Sequence, residues 1–241
     1  MQEFIITAGN AKLPVVIHHP CGEDLNTALI ISHGFRGSMD GGGRAVALAQ
    51  RASKLGLTVI RFAFSPLEKL SLQVSELSAI VDYCRSTICS TIVLLGRSMG
   101  GSSAVVVAAQ DQNIAGLCLW ATPSNLFETF QLSLGSDYQL LKAGKTLDIN
   151  DEYGKLLITP DFIEDFKKHD LIACIKKIKS PVLILHGGQD VVVPVGQAMT
   201  MFNYANDPKQ LVIIDGGDHQ FSNHSSLATD KALDWLKNHF S

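Results

Sequence analysis

Short apolar, β-branched runs alternate along this chain with longer stretches whose apolar positions recur every three or four residues. FIIT, from Phe4, and LPVVIHH, from Leu13, flank the turn-like AGNAK and predict an opening hairpin. ALIISHG, Ala28 to Gly34, is nearly all apolar and then breaks at glycine, as a strand buried on both faces does. Arg44 to Leu55 has helical spacing at Val46, Leu48, Ala49 and Ala52. LTVIRFAF, from Leu57, reads as a strand. Ser71 to Cys84 reads as a helix with Leu72, Leu77, Ile80 and Val81 on one face. TIVLLG, from Thr91, leads into a glycine-rich turn and the apolar helix SSAVVVAAQ. IAGLCLW, PVLILHG and QLVIID, starting at Ile114, Pro181 and Gln210, supply three more strands, and an amphipathic helix from Ser226 to Phe240 closes the chain.

This alternation predicts an α/β fold: a mainly parallel sheet with helices on both faces. Right-handed crossovers put every strand-to-helix loop along one edge, and ligands bind at the carboxyl ends of such strands. Thr122 to Ser180 breaks the alternation. It is too long for a plain connection and too patterned for a linker, so a mostly helical cap inserted over that edge is expected. The 241 residues suit one domain, 1–241, with the cap, 122–180, inside it.

Composition narrows the partners more than the fold. A net charge of −3 provides no basic stripe for phosphates, so nucleic acid is not an expected partner. No apolar run approaches the roughly 20 residues that span a bilayer, and the start lacks a signal-peptide pattern, so a cytoplasmic location is expected. Five cysteines, an odd number without a CxxC pair, argue against a disulfide framework or a zinc site.

The chemistry concentrates in Gly96-Arg97-Ser98-Met99-Gly100-Gly101. A G-x-S-x-G between a buried strand and a helix lifts a serine hydroxyl above the sheet on a tight turn. A glycine-rich turn with a capping serine would carry the same letters; the strand before it and the helix after it favour the elbow. Serine needs a base. His219, in the glycine-rich DGGDHQF after the last strand, lies on the same edge. His18 and His19 belong to the hairpin, His169, His224 and His239 to polar or terminal stretches, and His186 to the turn before Asp190. Asp190, four residues past its strand, is the candidate acid that orients the base. Asp215 and Asp218 sit too near His219 in sequence to fold back onto its ring. Backbone N–H groups of Met99 and Phe35, the latter in His33-Gly34-Phe35-Arg36-Gly37, are the candidate oxyanion donors.

The order Ser98, Asp190, His219, with HGFRGS upstream and GRSMGG at the elbow, resembles the α/β-hydrolase superfamily over essentially the whole chain. The compact length, the HGF loop and TPDFIEDFKKHD are similar to bacterial carboxylesterases of the feruloyl and cinnamoyl esterase type, and to the serine aminopeptidase and monoglyceride lipase-like group. The resemblance implies nucleophile Ser98, acid Asp190, base His219, oxyanion donors Phe35 and Met99, no cofactor or metal, and a small-molecule substrate, a carboxylic ester with a small to medium or aromatic acyl group. Arg97 departs from the histidine, aspartate or tyrosine that relatives often carry there.

Three other readings remain open at this point. The same machinery could cut a peptide, thioester, lactone or carbon–carbon bond. A binding protein could keep the triad without turnover. A dinucleotide-binding oxidoreductase would need a G-x-G-x-x-G after the first strand, which is missing. Gly41-Gly42-Gly43-Arg44 lacks the GK[ST] of a phosphate loop and reads as a loop before a helix. Phe127, Phe130, Tyr138, Tyr153, Phe162 and Phe166 read chiefly as cap packing. Lys167, Lys168, Lys176, Lys177 and Lys179 read as a solvated face.

Overall fold

The computed structural model describes residues 1–9, 11–66, 69–151 and 154–240. In chain order it contains β1 (Gln2–Ala8), β2 (Ala11–His18), β3 (Thr27–Ser32), α1 (Arg44–Ser53), β4 (Thr58–Phe62), α2 (Leu70–Thr87), β5 (Thr91–Arg97), α3 (Met99–Gln110) and β6 (Ile114–Trp120). Then come α4 (Leu126–Leu134), α5 (Asp137–Lys142), β7 (Leu147–Asp151), β8 (Gly154–Ile158), α6 (Asp161–Glu164) and α7 (Leu171–Ile175). The chain ends through β9 (Val182–Gly187), α8 (Val195–Tyr204), β10 (Lys209–Ile214) and α9 (Ser225–Phe240).

Eight strands form one sheet in the order β1-β2-β4-β3-β5-β6-β9-β10. β1 pairs antiparallel with β2 and β2 with β4; every pairing from β4 onward is parallel. The continuous apolar runs follow from burial on both faces. Along β3, Ala28 and Ile30 point into one core and Leu29 and Ile31 into the other; β5 splits the same way at Leu94 and Leu95. α1 and α9 cover one face. α2, α3 and α8 cover the other. The expected doubly covered parallel sheet is therefore the α/β-hydrolase architecture. From β3 the chain runs to β4 on one side and later to β5 on the other, so strand order reverses between β4 and β5, a place where such sheets open a crevice.

The stretch between β6 and β9 is mostly helical, as expected, with one addition. Four short helices share it with a two-stranded antiparallel hairpin, β7–β8. Leu147 faces Ile158 and Ile149 faces Leu156 across that hairpin, which gives it one apolar side. The intervening polar and charged residues hide this alternation from a pattern search. Helix α8 was also not expected, although Pro194 directly precedes it and Ala198 and Met201 are buried at helical spacing.

Two clamps hold this insertion to the body. Buried Gln197 of α8 accepts hydrogen bonds at Oε1 from the N–H groups of Ser124 and Asn125, both at 3.0 Å, and donates from Nε2 to Glu128 Oε2 at 2.8 Å. On the other side, the buried carboxylate of Asp165 accepts from Ser71 N at 2.8 Å and Ser71 Oγ at 2.7 Å, at the start of α2. Among the named aromatics, Phe127, Phe130, Phe162 and Phe166 stack on one another, with centroids 4.9–5.7 Å apart. Tyr138 is buried. Tyr153 lies outside the described residues. Lys167 and Lys168 are exposed and pair with Glu164 and Asp165.

Candidate active site

Ser98 sits between β5 and α3 with φ +52° and ψ −126°, the left-handed side that non-glycine residues rarely occupy. The turn is possible because its neighbours lack side chains. A Cβ on Gly96 would meet Gly100 O at 2.5 Å, one on Gly100 would collide with His33 O, and one on Gly101 with Thr122 Oγ1. Ser98 N donates to Trp120 O at 2.8 Å, which ties the elbow to β6. A φ this unusual, over-determined by packing, marks a residue whose side chain is being aimed.

The carboxyl ends of β9 and β10 bring the other two residues to it. Gln189 N donates to Gly217 O at 2.9 Å and Gly188 N to Ile214 O at 2.8 Å, so the Asp190 and His219 loops are laced together. His219 Nδ1 donates to Asp190 Oδ2 at 2.8 Å, and Ser98 Oγ lies 3.2 Å from His219 Nε2. These three expected residues thus form one continuous chain of hydrogen bonds. Ser98 is 8% exposed.

Asp190 is held by more than the histidine. Its Oδ1 accepts from Val192 N at 2.9 Å and Val193 N at 2.8 Å, and His186 Nε2 stands 3.4 Å from Oδ2 while donating to Val193 O at 2.8 Å. Burial by itself would push the Asp190 carboxyl up. The hydrogen bonds from His186, His219 and the Val193 amide outweigh it and hold the group well below the usual carboxylate range. Asp190 is therefore a fixed anion facing His219. His186 was read as a residue of the turn. The structure adds that its ring is fully buried and lies against the acid.

The loop after β3 closes over the serine. A Cβ on Gly34 would meet Ser98 Cβ at 2.9 Å and Arg97 O at 3.0 Å, so this backbone runs directly past the hydroxyl. His33 fixes the loop: its Nδ1 donates to Gly34 O at 2.9 Å and its Nε2 accepts from Phe64 N at 3.1 Å. The N–H groups of Phe35 and Met99 have no protein acceptor among the described residues. The Phe35 ring packs edge-on against Phe130 at 5.1 Å and beside Phe162 at 5.3 Å, joining this loop to the insertion. Arg97, within the elbow, donates from Nη2 to His219 O at 2.9 Å, a link the sequence did not signal.

Among the described residues, no three His, Cys, Asp or Glu side chains gather as a metal site would require, and no helix is long and apolar enough to cross a membrane. Gly41–Gly43 form a single 3-10 turn ahead of α1.

Known proteins share this arrangement of elements. The structure of Est1E from Butyrivibrio proteoclasticus superposes with a TM-score of 0.84 at 22% identity, over 98% of either chain. The esterase domain of a Rhodothermus marinus protein matches at TM-score 0.75 and 21% identity over 100% of both chains. Monoacylglycerol lipase from Paleococcus ferrophilus matches at TM-score 0.74 and 16% identity, over 95% of this chain and 100% of that one. At such identities the likeness is one of fold. No curated protein matches the sequence. The model of the prolyl oligopeptidase family matches residues 76–241, a span that runs from α2 through the elbow, Asp190 and His219 to the end. The chain belongs to the prolyl oligopeptidase family and is a hydrolase built on the α/β-hydrolase fold.

Proposed function

We propose that this protein is a serine esterase that cleaves a carboxylic ester through an acyl-enzyme on Ser98. The observation that carries the reading is the unbroken Ser98–His219–Asp190 chain, at 3.2 and 2.8 Å, on a serine forced to positive φ. His219 Nε2 takes the hydroxyl proton as Oγ bonds to the ester carbonyl carbon. Asp190 keeps Nδ1 protonated and stabilises the imidazolium. The Phe35 and Met99 N–H groups, without protein acceptors and beside the serine, supply the oxyanion hole. The bond to the alcohol oxygen then breaks, and His219 returns the proton to that oxygen. Water repeats the sequence: it gives its proton to His219, attacks the acyl carbon, and releases the carboxylic acid and Ser98. Only these side chains, two amides and water take part.

A small to medium or aromatic acyl group fits this reading, in line with the structure of Est1E bound to ferulic acid. Family membership favours a second reading, in which the same serine cuts a peptide amide. Hydrolysis of p-nitrophenyl esters and a hydroxycinnamate ester, against a series of peptide p-nitroanilides, separates the two. Ester turnover that disappears in Ser98→Ala is the expected result. Turnover confined to the anilides would replace esterase by peptidase. A fluorophosphonate that fails to label Ser98 in the wild type would remove both.

A further inference from the structure

A cavity of about 920 Å³ opens among the segments at the carboxyl ends of β3, β5 and β10; Ser98 and His219 themselves do not line it. Arg97 and Gln220, the neighbours of Ser98 and His219 in sequence, line it, and so does Phe35. Its floor is apolar, with Leu95, Trp120 and Phe221. Leu134 and Ile149 of the insertion line it as well.

Its charge is the unusual part. Arg44 and Arg97 both line this one cavity, and among the described residues Asp137 is the one carboxylate that lines it, in a chain whose net charge is −3. Arg97 spends one N–H on His219 O; its remaining donors meet no protein acceptor among the described residues. The side chain of Arg44, exposed at the start of α1, makes no hydrogen bond or ion pair among them. Arg36 donates to Gly154 O at 3.0 Å and so fixes the rim to the insertion. Burial, and then the like charge of Arg44, pull the Arg97 guanidinium down to about 10, against the opposing pull of Asp190 and Asp218. It stays charged at neutral pH. The buried Arg97 guanidinium is held beside the like charge of Arg44, and a planar anion on its fork relieves that repulsion.

We infer that this cavity receives a carboxylate carried by the substrate, which makes the substrate an acidic ester; the inference rests on the hydrolase reading of Ser98. Repulsion of neutral competitors is not required. The anionic group need only be held where its ester carbonyl reaches Ser98 Oγ.

The test pairs p-nitrophenyl hydrogen adipate and suberate with their methyl-capped counterparts, which differ only in the distal charge. The wild type is expected to prefer the anionic member by at least tenfold in kcat/KM, with the preference falling as salt rises. Arg44→Met is expected to cut that preference at least fivefold, and Arg97→Lys to cut it less than Arg97→Gln. Equal or better turnover of the capped esters by the wild type would overturn the inference and leave the esterase intact. If neither ester turns over, titration of the Ser98→Ala protein with both decides the matter: tighter binding of the anionic ester keeps the anion site without the esterase, and equal binding removes it.

Discussion

Gly34 passes so close to Ser98 that a methyl group on it would stand 2.9 Å from the serine Cβ. The loop bearing the Phe35 amide and the elbow bearing the hydroxyl are therefore in direct backbone contact. Arg97 O, 3.0 Å from the same methyl position, is backbone and cannot rotate aside. Gly34→Ala is expected to push the loop off the serine. Turnover should fall at least tenfold, since a displacement of less than 1 Å at an oxyanion donor is costly, while circular dichroism and the thermal midpoint change little. Wild-type kcat in this variant would show that the Phe35 amide has no part in the reaction.

His186 offers a second handle on the same machinery. Its ring is fully buried, gives its Nε2 proton to Val193 O, and flanks Asp190. His186→Phe keeps the volume and removes the donor. The Val193 carbonyl then loses its partner at a cost of about 1–3 kcal/mol, and Asp190 loses one of the groups that hold it as an anion. Reduced stability in urea together with a severalfold lower kcat is the expected pair of effects. Loss of stability with kcat untouched would confine His186 to packing.

Asp165 gives a pH prediction for the insertion. Burial alone would raise its carboxyl; the hydrogen bonds from Ser71 and Lys168 outweigh this and lower it. The native group therefore keeps its charge to lower pH than the unfolded one, whose pKa is near 3.9. Its stabilising effect is complete above about pH 5 and drains away as pH falls through the unfolded and then the native value. Urea midpoints of wild type and Asp165→Asn should accordingly differ most at pH 6 and converge toward pH 3. A gap that is the same at both pH values would sink this account.

The Gln197 clamp can be tested without reference to catalysis. Gln197→Leu strips acceptors from the Ser124 and Asn125 amides. Each stranded amide costs about 1–3 kcal/mol if it stays buried. The expected consequence is local: faster protease cleavage within residues 121–181, with the sheet still protected from hydrogen exchange. Cleavage at the wild-type rate would mean that the Asp165 side alone secures the insertion.

The sheet and the Ser98–His219–Asp190 alignment were legible in the sequence because both depend on local rules. Strands buried on both faces read as unbroken apolar runs, and a strand-to-helix turn as tight as the one at Ser98 needs its glycines where the chain turns. The position of each residue after a strand then assigns it to one edge. The β7–β8 hairpin was not legible, since its apolar side rests on only Leu147, Ile149, Leu156 and Ile158 among charged neighbours. Nor could the link from Arg97 to the His219 carbonyl, or the approach of His186 to Asp190, be read from spacing. They depend on which way long side chains turn once distant loops have met.

β6 and β9 lie side by side and pair directly, from Leu117 with Val182 to Trp120 with Leu185. Everything between them leaves the sheet and returns to the neighbouring strand. The parallel pairing itself demands only a short helical crossover. The rest of that excursion is thus free of the sheet's own architecture, and α5, β7 and β8 can lengthen, shorten or change sequence without disturbing strand register. Selection for new substrates can act on this one stretch, since the residues proposed for bond cleavage lie outside it, on the loops after β3, β5, β9 and β10.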